Sequence, residues 1–178
     1  PVAGRTHSAL ESLIGCFLNM LALKTEHLPQ NSFIEVLNRH HHTTQDAFNN
    51  QDIPFEEVVK NTAGNRNPAL TPLFQVIFDL QNTPLATFNT INDIDIQYTE
   101  LEKSSALYDL GLHARETASG IAMRIEYNTG LFTQSTIQAL ANHFTNLTES
   151  VISSPQQSIS TLTLLSQHEQ QQQRQQWN

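Results

Sequence analysis

The sequence predicts an α/β fold, a two-layer sandwich of helices and strands. Segments with the two-residue alternation of strands occur at 73–80, 107–115 and 121–127. Segments with the 3.6-residue periodicity of amphipathic helices lie before and after them, at 32–49 and from Thr133 onward. Because helices and strands occur in this mixed order, with no internal repeat, we expect them to pack as an α/β sandwich.

The first part of the chain is predicted to hold one strand and two helices. Residues 13–23 are almost continuously apolar, and their length together with Gly15 favours a buried strand over a short helix. The Asn31–Ser32 pair offers caps for a helix with an apolar stripe. The stripe consists of Phe33, Val36, Leu37, His40, Thr44, Ala47 and Phe48. A second short helix is expected from Pro54, in its first turn, through Val59.

The middle of the chain is predicted to be rich in strands. In the strand at 73–80, one face is apolar and carries Phe74, Val76, Phe78 and Leu80. A polar loop follows from 82 to about 93, and another strand is expected at 94–98. A turn at 118–120 joins the strands at 107–115 and 121–127 into a hairpin.

Two helices are predicted to end the chain. Thr133 caps a long amphipathic helix, and a short extended piece follows at 159–165. Ser166 and Glu169 have the spacing of a capping box for a last helix over 167–177. This last helix is rich in glutamine and has almost no apolar residues to bury, which is typical of a linker.

Composition and charge exclude several kinds of partner. The chain has 9 Lys and Arg against 17 Asp and Glu, a net charge of −8, so a nucleic-acid backbone would be repelled. Its longest apolar run is too short to span a bilayer, and no signal peptide opens the chain, which predicts a cytoplasmic protein. The start at Pro1 without a Met predicts a cut inside a longer polypeptide. A single cysteine, Cys16, forms no internal disulfide. Because it lies in the apolar run at 13–23, it is expected to be a buried small hydrophobe.

The most prominent local feature is a run of three histidines, His40, His41 and His42, followed by Asp46. Adjacent helical residues point about 100° apart, so the three rings cannot converge on one metal ion, and no metal site is expected. The run matches an HHxxxDG acyltransferase signature in all but its glycine, which would make His42 a general base. The favoured interpretation is an ordinary helix in which His40 faces the core and the other two are near solvent.

Four stretches of the chain, taken in order, resemble the motifs of one enzyme family. They are residues 5–19, residues 50–56 (Asn-Gln-Asp-Ile-Pro-Phe-Glu), residues 66–82, and residues 108–110 with 126–132. These stretches are similar to the GR…LIGxFxNxLxLR, (H/N)QDxPFE, RDxSRxPLFQVxFxLQN and FDLxL…EYxTxLF motifs of condensation domains of nonribosomal peptide synthetases. Lys24 departs from the first motif, and Asn67, Ala69 and Leu70 depart from the third.

The resemblance implies a fold, a reaction and a set of partners. Residues 1–165 would be the C-terminal lobe of a condensation domain, each lobe of which is similar to chloramphenicol acetyltransferase. Residues 166–178 would begin the helical linker to a following adenylation domain. The parent enzyme would form peptide bonds between thioesters held on the phosphopantetheine of upstream and downstream peptidyl carrier proteins, with no cofactor bound to this chain directly.

The resemblance also places the catalytic residues. The family's HHxxxDG motif belongs to the N-terminal lobe, so this chain is expected to have no catalytic residue and to be inactive alone. Arg5 resembles an arginine that pairs with the Asp of that motif, as an active-site support, and is expected to be exposed or disordered in this chain. Asn19 and Gln75 are predicted to face the tunnel between the lobes.

Two other interpretations remain open. A non-catalytic module that docks carrier proteins would suit the acidic charge and the lack of a catalytic set. An epimerisation domain shares the fold, although the IGxFxN form of residues 14–19 disfavours it.

Overall fold

The structure is a computed structural model, and it describes residues 1–62, 71–81, 90–91, 94–95, 105–117 and 119–176. The chain divides into two compact units. The first comprises Pro1–Phe74 and Ser135–Asn178, and the second comprises Gln75–Gln134. The first unit is therefore built from both ends of the chain, and the second is inserted between them.

Four helices form the regular structure of the first unit. They are α1 (Phe33–Asn49), α2 (Phe55–Thr62), α3 (Gln134–Ser153, whose first residue belongs to the second unit) and α4 (Gln167–Gln176). Short 3₁₀ helices occur at Ser8–Leu10 and Ile159–Thr161. The four predicted helices are confirmed, but residues 159–161 form a 3₁₀ turn in place of the expected extended piece.

The sequence signals for helix starts correspond to observed contacts. The Ser32 hydroxyl accepts a hydrogen bond from the Glu35 N–H at 3.3 Å, and the Glu35 carboxylate accepts one from the Ser32 N–H at 2.7 Å. Ser166 and Glu169 form the same reciprocal pair at the start of α4. Each capping box satisfies two backbone donors that the first helical turn would otherwise leave unpaired.

The predicted apolar stripe of α1 is only partly correct. Phe33, Val36 and His40 are half-buried, as expected. Leu37 and Phe48 are instead 46% and 47% exposed. An α-helix turns by about 100° per residue, which places both side chains further around the helix axis from Phe33, Val36 and His40. Leu37 and Phe48 therefore lie at the border of the covered face of α1.

The predicted strand at 13–23 is wrong. Among the described residues this segment forms one isolated β-bridge, between Asn19 and Val2, and no ladder. Ile14 is fully exposed, Leu18 is 68% exposed, and Cys16 is exposed rather than buried. A strand needs a hydrogen-bonding neighbour along its length, and an apolar sequence alone does not supply one.

The second unit contains a three-stranded sheet in the order β1 (Val76–Gln81), β4 (Leu110–Thr117), β5 (Gly120–Tyr127). Strands β1 and β4 are parallel, and β4 and β5 are an antiparallel hairpin. A separate two-stranded ladder joins β2 (Thr90–Ile91) to β3 (Ile94–Asp95). The predicted strands at 73–80, 107–115 and 121–127 are confirmed with shifted ends, and residues 94–95 of the strand predicted at 94–98 form β3. Most of the predicted loop at 82–93, residues 96–98 and the turn residue at 118 lie outside the described residues.

The two faces of this sheet differ in polarity. The alternation predicted for β1 is correct, since Val76, Phe78 and Leu80 share one face. These three side chains are nevertheless 59%, 57% and 51% exposed, whereas Ile77 and Asp79 on the opposite face are half-buried.

In the described part of the chain, the hydrophobic side chains that are less than a tenth exposed are Val59, Ile137 and Ala114.

Candidate functional site

Three of the motif stretches meet in the first unit, and we call the resulting assembly of residues 2–6, 14–19, 50–56 and Phe74 the motif cluster. Its first contact is the antiparallel bridge between Val2 and Asn19, with N···O distances of 2.8 and 3.0 Å. Gly4 has φ +62°, and a Cβ there would lie 1.9 Å from the carbonyl oxygen of Phe17. Only glycine fits this position, because both the backbone conformation and the space exclude a side chain.

Arg5 organises the segment that follows. Its guanidinium donates hydrogen bonds to the carbonyl oxygens of Leu10 and Gly15 and stacks over the Phe17 ring, with Cζ 4.4 Å from the ring centroid. The residue is half-buried. The prediction that Arg5 is exposed or disordered in this chain is therefore wrong: the donors of a guanidinium can fold a loop around themselves as readily as they pair with a carboxylate.

Asn19 joins the first motif to the second. Its Nδ2 donates to the carbonyl oxygens of Gln51 and Ile53, both at 2.8 Å. Its Oδ1 accepts from the backbone N–H of Met20 at 2.9 Å and of Phe55 at 3.1 Å. A side-chain amide offers two donors and one acceptor oxygen with two lone pairs, so these four bonds use its full capacity.

The Asn19 contacts also start a helix. Phe55 is the first residue of α2, and its N–H is one of the donors that a helix cannot satisfy internally. Asn19 thus caps α2 from 36 residues away in sequence. Pro54 precedes the helix, and its carbonyl accepts from the N–H groups of Glu57 and Val58. The Phe55 ring packs on that of Phe74, with centroids 5.5 Å apart, which links the third motif to the cluster.

The structure places the other predicted tunnel residue, Gln75, in the second unit. It is half-buried, and its carbonyl accepts from the N–H groups of Asp109 and Leu110, just ahead of the β1–β4 ladder. That Asn19 and Gln75 face a tunnel stays a prediction. Of the third motif, residues 66–70 and residue 82 lie outside the described part of the chain.

The histidine run behaves as an ordinary helix surface. His40 Nδ1 lies 2.9 Å from the Thr25 hydroxyl, and Arg39 donates to the Glu26 carbonyl, so both side chains hold the preceding segment against α1. His41 and His42 are exposed. In the described residues, no group of three or more His, Cys, Asp or Glu side chains is placed to hold a metal ion.

A hydrogen bond between a histidine and a carboxylate fastens α4 to α3. His143 Nε2 lies 2.7 Å from the Glu169 carboxylate, and both side chains are less than a third exposed. Hydrogen bonds from the Ser166 hydroxyl and backbone N–H, with a further one from His143, lower the pKa of Glu169 to about 2. Glu169 is consequently ionised at any physiological pH and holds both the cap and the histidine.

One polar group missed by the sequence analysis is His113 on β4. Its Nδ1 lies 3.6 Å from Oδ2 of Asp79 on β1, and both side chains are about one-fifth exposed. Its Nε2 is buried and has no hydrogen-bond partner among the described residues. The sequence does carry a signal, since polar residues alternate at 79 and 81 and again at 113 and 115, but the register that aligns the two strands is not readable from it.

Comparison with known proteins decides the family. A family model described as "Condensation domain" matches residues 1–173. The chain belongs to the condensation-domain family. It is 38% identical to one of the Linear gramicidin synthase proteins of Brevibacillus parabrevis over all of this chain and 2% of that protein. It is also 38% identical to Surfactin synthase subunit 1 of Bacillus subtilis over all of this chain and 5% of that protein.

Solved structures confirm the α/β fold of this family, which is of the chloramphenicol acetyltransferase type. A four-domain nonribosomal peptide synthetase bound to AMP and glycine superposes with a TM-score of 0.83 at 17% identity, over 95% of this chain and 14% of that one. The first condensation domain of the CDA synthetase superposes with a TM-score of 0.69 at 16% identity, over 93% of this chain and 36% of that one. This condensation-domain chain thus spans about a third of that solved chain and a few per cent of the two synthetases.

Two further observations concern the boundaries and the setting of this condensation-domain chain. The family match continues to residue 173, eight residues beyond the predicted lobe boundary at 165, so the division at 165/166 stays a prediction. No helix in the described residues is both long enough and apolar enough to cross a membrane.

Proposed function

We propose that the chain is the C-terminal lobe of a condensation domain that forms peptide bonds between carrier-bound aminoacyl or peptidyl thioesters. The observation that carries the proposal is the motif cluster. Stretches that resemble the family over residues 5–19 and 50–56 are joined by three hydrogen bonds of Asn19, so these residues form one connected piece of structure.

In this reaction the acceptor amine attacks the carbonyl carbon of the donor thioester. A C–N bond forms, the C–S bond breaks, and the thiol of the donor's phosphopantetheine leaves with a proton. The histidine of the HHxxxDG motif, in the N-terminal lobe, would position or deprotonate the amine. The C-terminal lobe would supply the facing wall of the tunnel, and Asn19 and Gln75 are each proposed to face the tunnel.

Arg5 would support this wall indirectly. Its guanidinium is engaged by two carbonyl oxygens and an aromatic ring within residues 10–17, so it shapes the loop that leads to Asn19. We propose that this loop, with the fully exposed Ile14 and the largely exposed Leu18, contacts the N-terminal lobe. Large apolar side chains exposed on a loop are typical of a protein contact.

The remaining partners follow from the same assignment. Upstream and downstream peptidyl carrier proteins would present the two substrates on phosphopantetheine, and the chain itself would bind no further cofactor. Residues 166–178 would start the linker to an adenylation domain, with α4 fastened at its base by the His143–Glu169 pair. The assembly would act in the cytoplasm.

The test is complementation. The chain is mixed with the separately produced N-terminal portion of the condensation domain of Surfactin synthase subunit 1, together with two loaded carrier proteins, and dipeptide formation is followed by mass spectrometry. We expect no product from either piece alone and product from the pair. Product from this chain alone would disprove the missing-lobe assignment, and a tightly associated but inactive pair would disprove the catalytic role.

Two control readouts separate the alternatives. A chain that binds loaded carrier proteins but never yields dipeptide would be a docking module. Exchange of the α-hydrogen of the bound aminoacyl group with solvent deuterium, without dipeptide, would indicate an epimerisation domain. A substitution of the catalytic histidine in the partner piece must abolish the product of the complemented pair.

A further inference from the structure

The polar face of the β1–β4–β5 sheet carries ionisable groups in neighbouring positions. The strand register places Asp79 beside His113 and His113 beside Arg124, so one residue from each strand forms a row across the sheet. In another row Gly111 lies beside Glu126. Residues opposite each other on neighbouring strands have Cβ atoms about 5 Å apart, which is close enough for these groups to act on one ligand.

His113 is held in a defined orientation by its neighbours. Asp79 faces its Nδ1 at 3.6 Å, and the Asp79 carboxylate is itself held by a hydrogen bond from the Gln81 amide at 3.1 Å. A carboxylate beside Nδ1 favours the tautomer with the proton on that nitrogen, which leaves the Nε2 lone pair as an acceptor. Nε2 is buried and lacks a partner among the described residues, although buried polar atoms almost always have one.

A glycine provides the space in which this nitrogen lies. A Cβ added at Gly111 would be 3.0 Å from His113 Nε2 and 3.2 Å from Cγ2 of Ile77. The same Cβ would be 3.7 Å from Cβ of Glu126, the residue paired with Gly111 on β5. The imidazole therefore lies over the bare backbone of Gly111, in a row between Asp79 and Arg124, and its Nε2 is unused.

We propose that His113 is a binding residue for a primary amine, the attacking group of the acceptor aminoacyl thioester. The ring rotates off Gly111, and Nε2 accepts a hydrogen bond from an N–H of the neutral amine, while the Asp79 carboxylate beside Nδ1 makes the imidazole a stronger acceptor. Arg124, next to His113 in the same row, disfavours a cation there, so the site suits the neutral, nucleophilic form of the amine. Leaving Nε2 buried and unpaired is unfavourable, so the rotation that exposes it to a donor regains a hydrogen bond. This inference rests on the proposed function, because it assigns a substrate to the same reaction.

The experiment uses the full chain and two probes. One is the S-methylated alanyl amide of cysteamine, a stable analogue of an alanyl thioester with a free amine, and the other is the same compound with an acetylated amine. Imidazole signals are followed by NMR during each titration. We expect saturable shifts of the His113 signals with the free amine and none with the acetylated probe. Equal shifts with both probes would overturn the proposal.

Variants locate the contact. His113→Phe keeps a ring and removes both nitrogens, and it should weaken binding of the free amine roughly tenfold, the loss of one hydrogen bond. The matched control His42→Phe, on the exposed face of α1, should leave binding unchanged. Gly111→Ala should push the ring off the backbone and bind at least as tightly as the natural chain. Unchanged binding by His113→Phe would refute the assignment.

The two proposals fail in different ways. A chain that complements the N-terminal portion but does not distinguish the two probes would disprove only the role of His113. A chain that binds the free amine through His113 but gives no dipeptide in complementation would disprove only the condensation function. The probe comparison uses the natural chain, so it does not depend on the folding of any variant.

Discussion

Asn19→Ala should destabilise the first unit more than any other single amide removal on its described surface. The substitution removes four hydrogen bonds and leaves the N–H groups of Met20 and Phe55 and the carbonyls of Gln51 and Ile53 without their partner. Water can reach part of this site, since Asn19 is only half-buried. Loss of a helix cap costs about 1 kcal/mol, and the remaining groups bring the total to roughly 3 kcal/mol.

Thermal unfolding followed by circular dichroism at 222 nm measures this effect. For a chain of this size about 3 kcal/mol corresponds to a fall in Tm of roughly 6–12 °C. Asn38→Ala is the matched control, because Asn38 is exposed on α1, and alanine there should be neutral or slightly stabilising. Asn19→Asp retains the acceptor but sets a carboxylate oxygen against two carbonyl oxygens, so it should be at least as damaging. A Tm for Asn19→Ala equal to that of Asn38→Ala would refute the reasoning.

Three other outcomes are expected. Gly4→Ala should unfold the motif cluster or prevent its formation, because the new Cβ would meet the Phe17 carbonyl; wild-type Tm and loop chemical shifts in that variant would contradict this. Leu37→Ala should lower the free energy of unfolding by less than about 1 kcal/mol, and Ile137→Ala should lower it by roughly 2–5 kcal/mol, because Leu37 is exposed and Ile137 is buried. Urea denaturation measures both values, and equal losses would contradict this difference in burial. The pKa of Glu169 is lowered in the folded chain, so its attachment of α4 is complete above pH 4.5 and is lost as pH falls toward about 2; amide exchange in α4 should quicken over that window, and Glu169→Gln should show no such step.

The sequence predicts the helices well because their determinants are local. Ser32 and Ser166 each begin a capping box whose partner lies three residues away, and both boxes are formed. The strand prediction for 13–23 is wrong for the opposite reason. The apolar composition of this segment shows that it prefers an apolar environment, but whether it forms a strand depends on a neighbour that lies elsewhere in the sequence.

The same distinction holds for the candidate site. The motif stretches identify the segments, and Arg5 and Asn19 both stand out within them. Their contacts are not predictable, because Arg5 binds carbonyls in its own loop and Asn19 reaches residues 32–36 positions away. His113 is not identified by the sequence at all, since its partner Asp79 lies on a parallel strand, and parallel register leaves no turn signal in the sequence.

The inserted position of the second unit has a consequence for synthesis on the ribosome. The hydroxyl of Ser158 donates to the carbonyl of Pro29, and the two residues are 129 positions apart. At 5–20 residues per second, the early half of the first unit emerges roughly 6–26 s before the residues that close it. The second unit does not depend on residues synthesised that much later, because its strands come from one continuous stretch of the chain. The β1–β4–β5 sheet can therefore form while residues 1–74, with the apolar loop at 13–23, are still without their C-terminal partner, and a chaperone that binds nascent chains would find its target there.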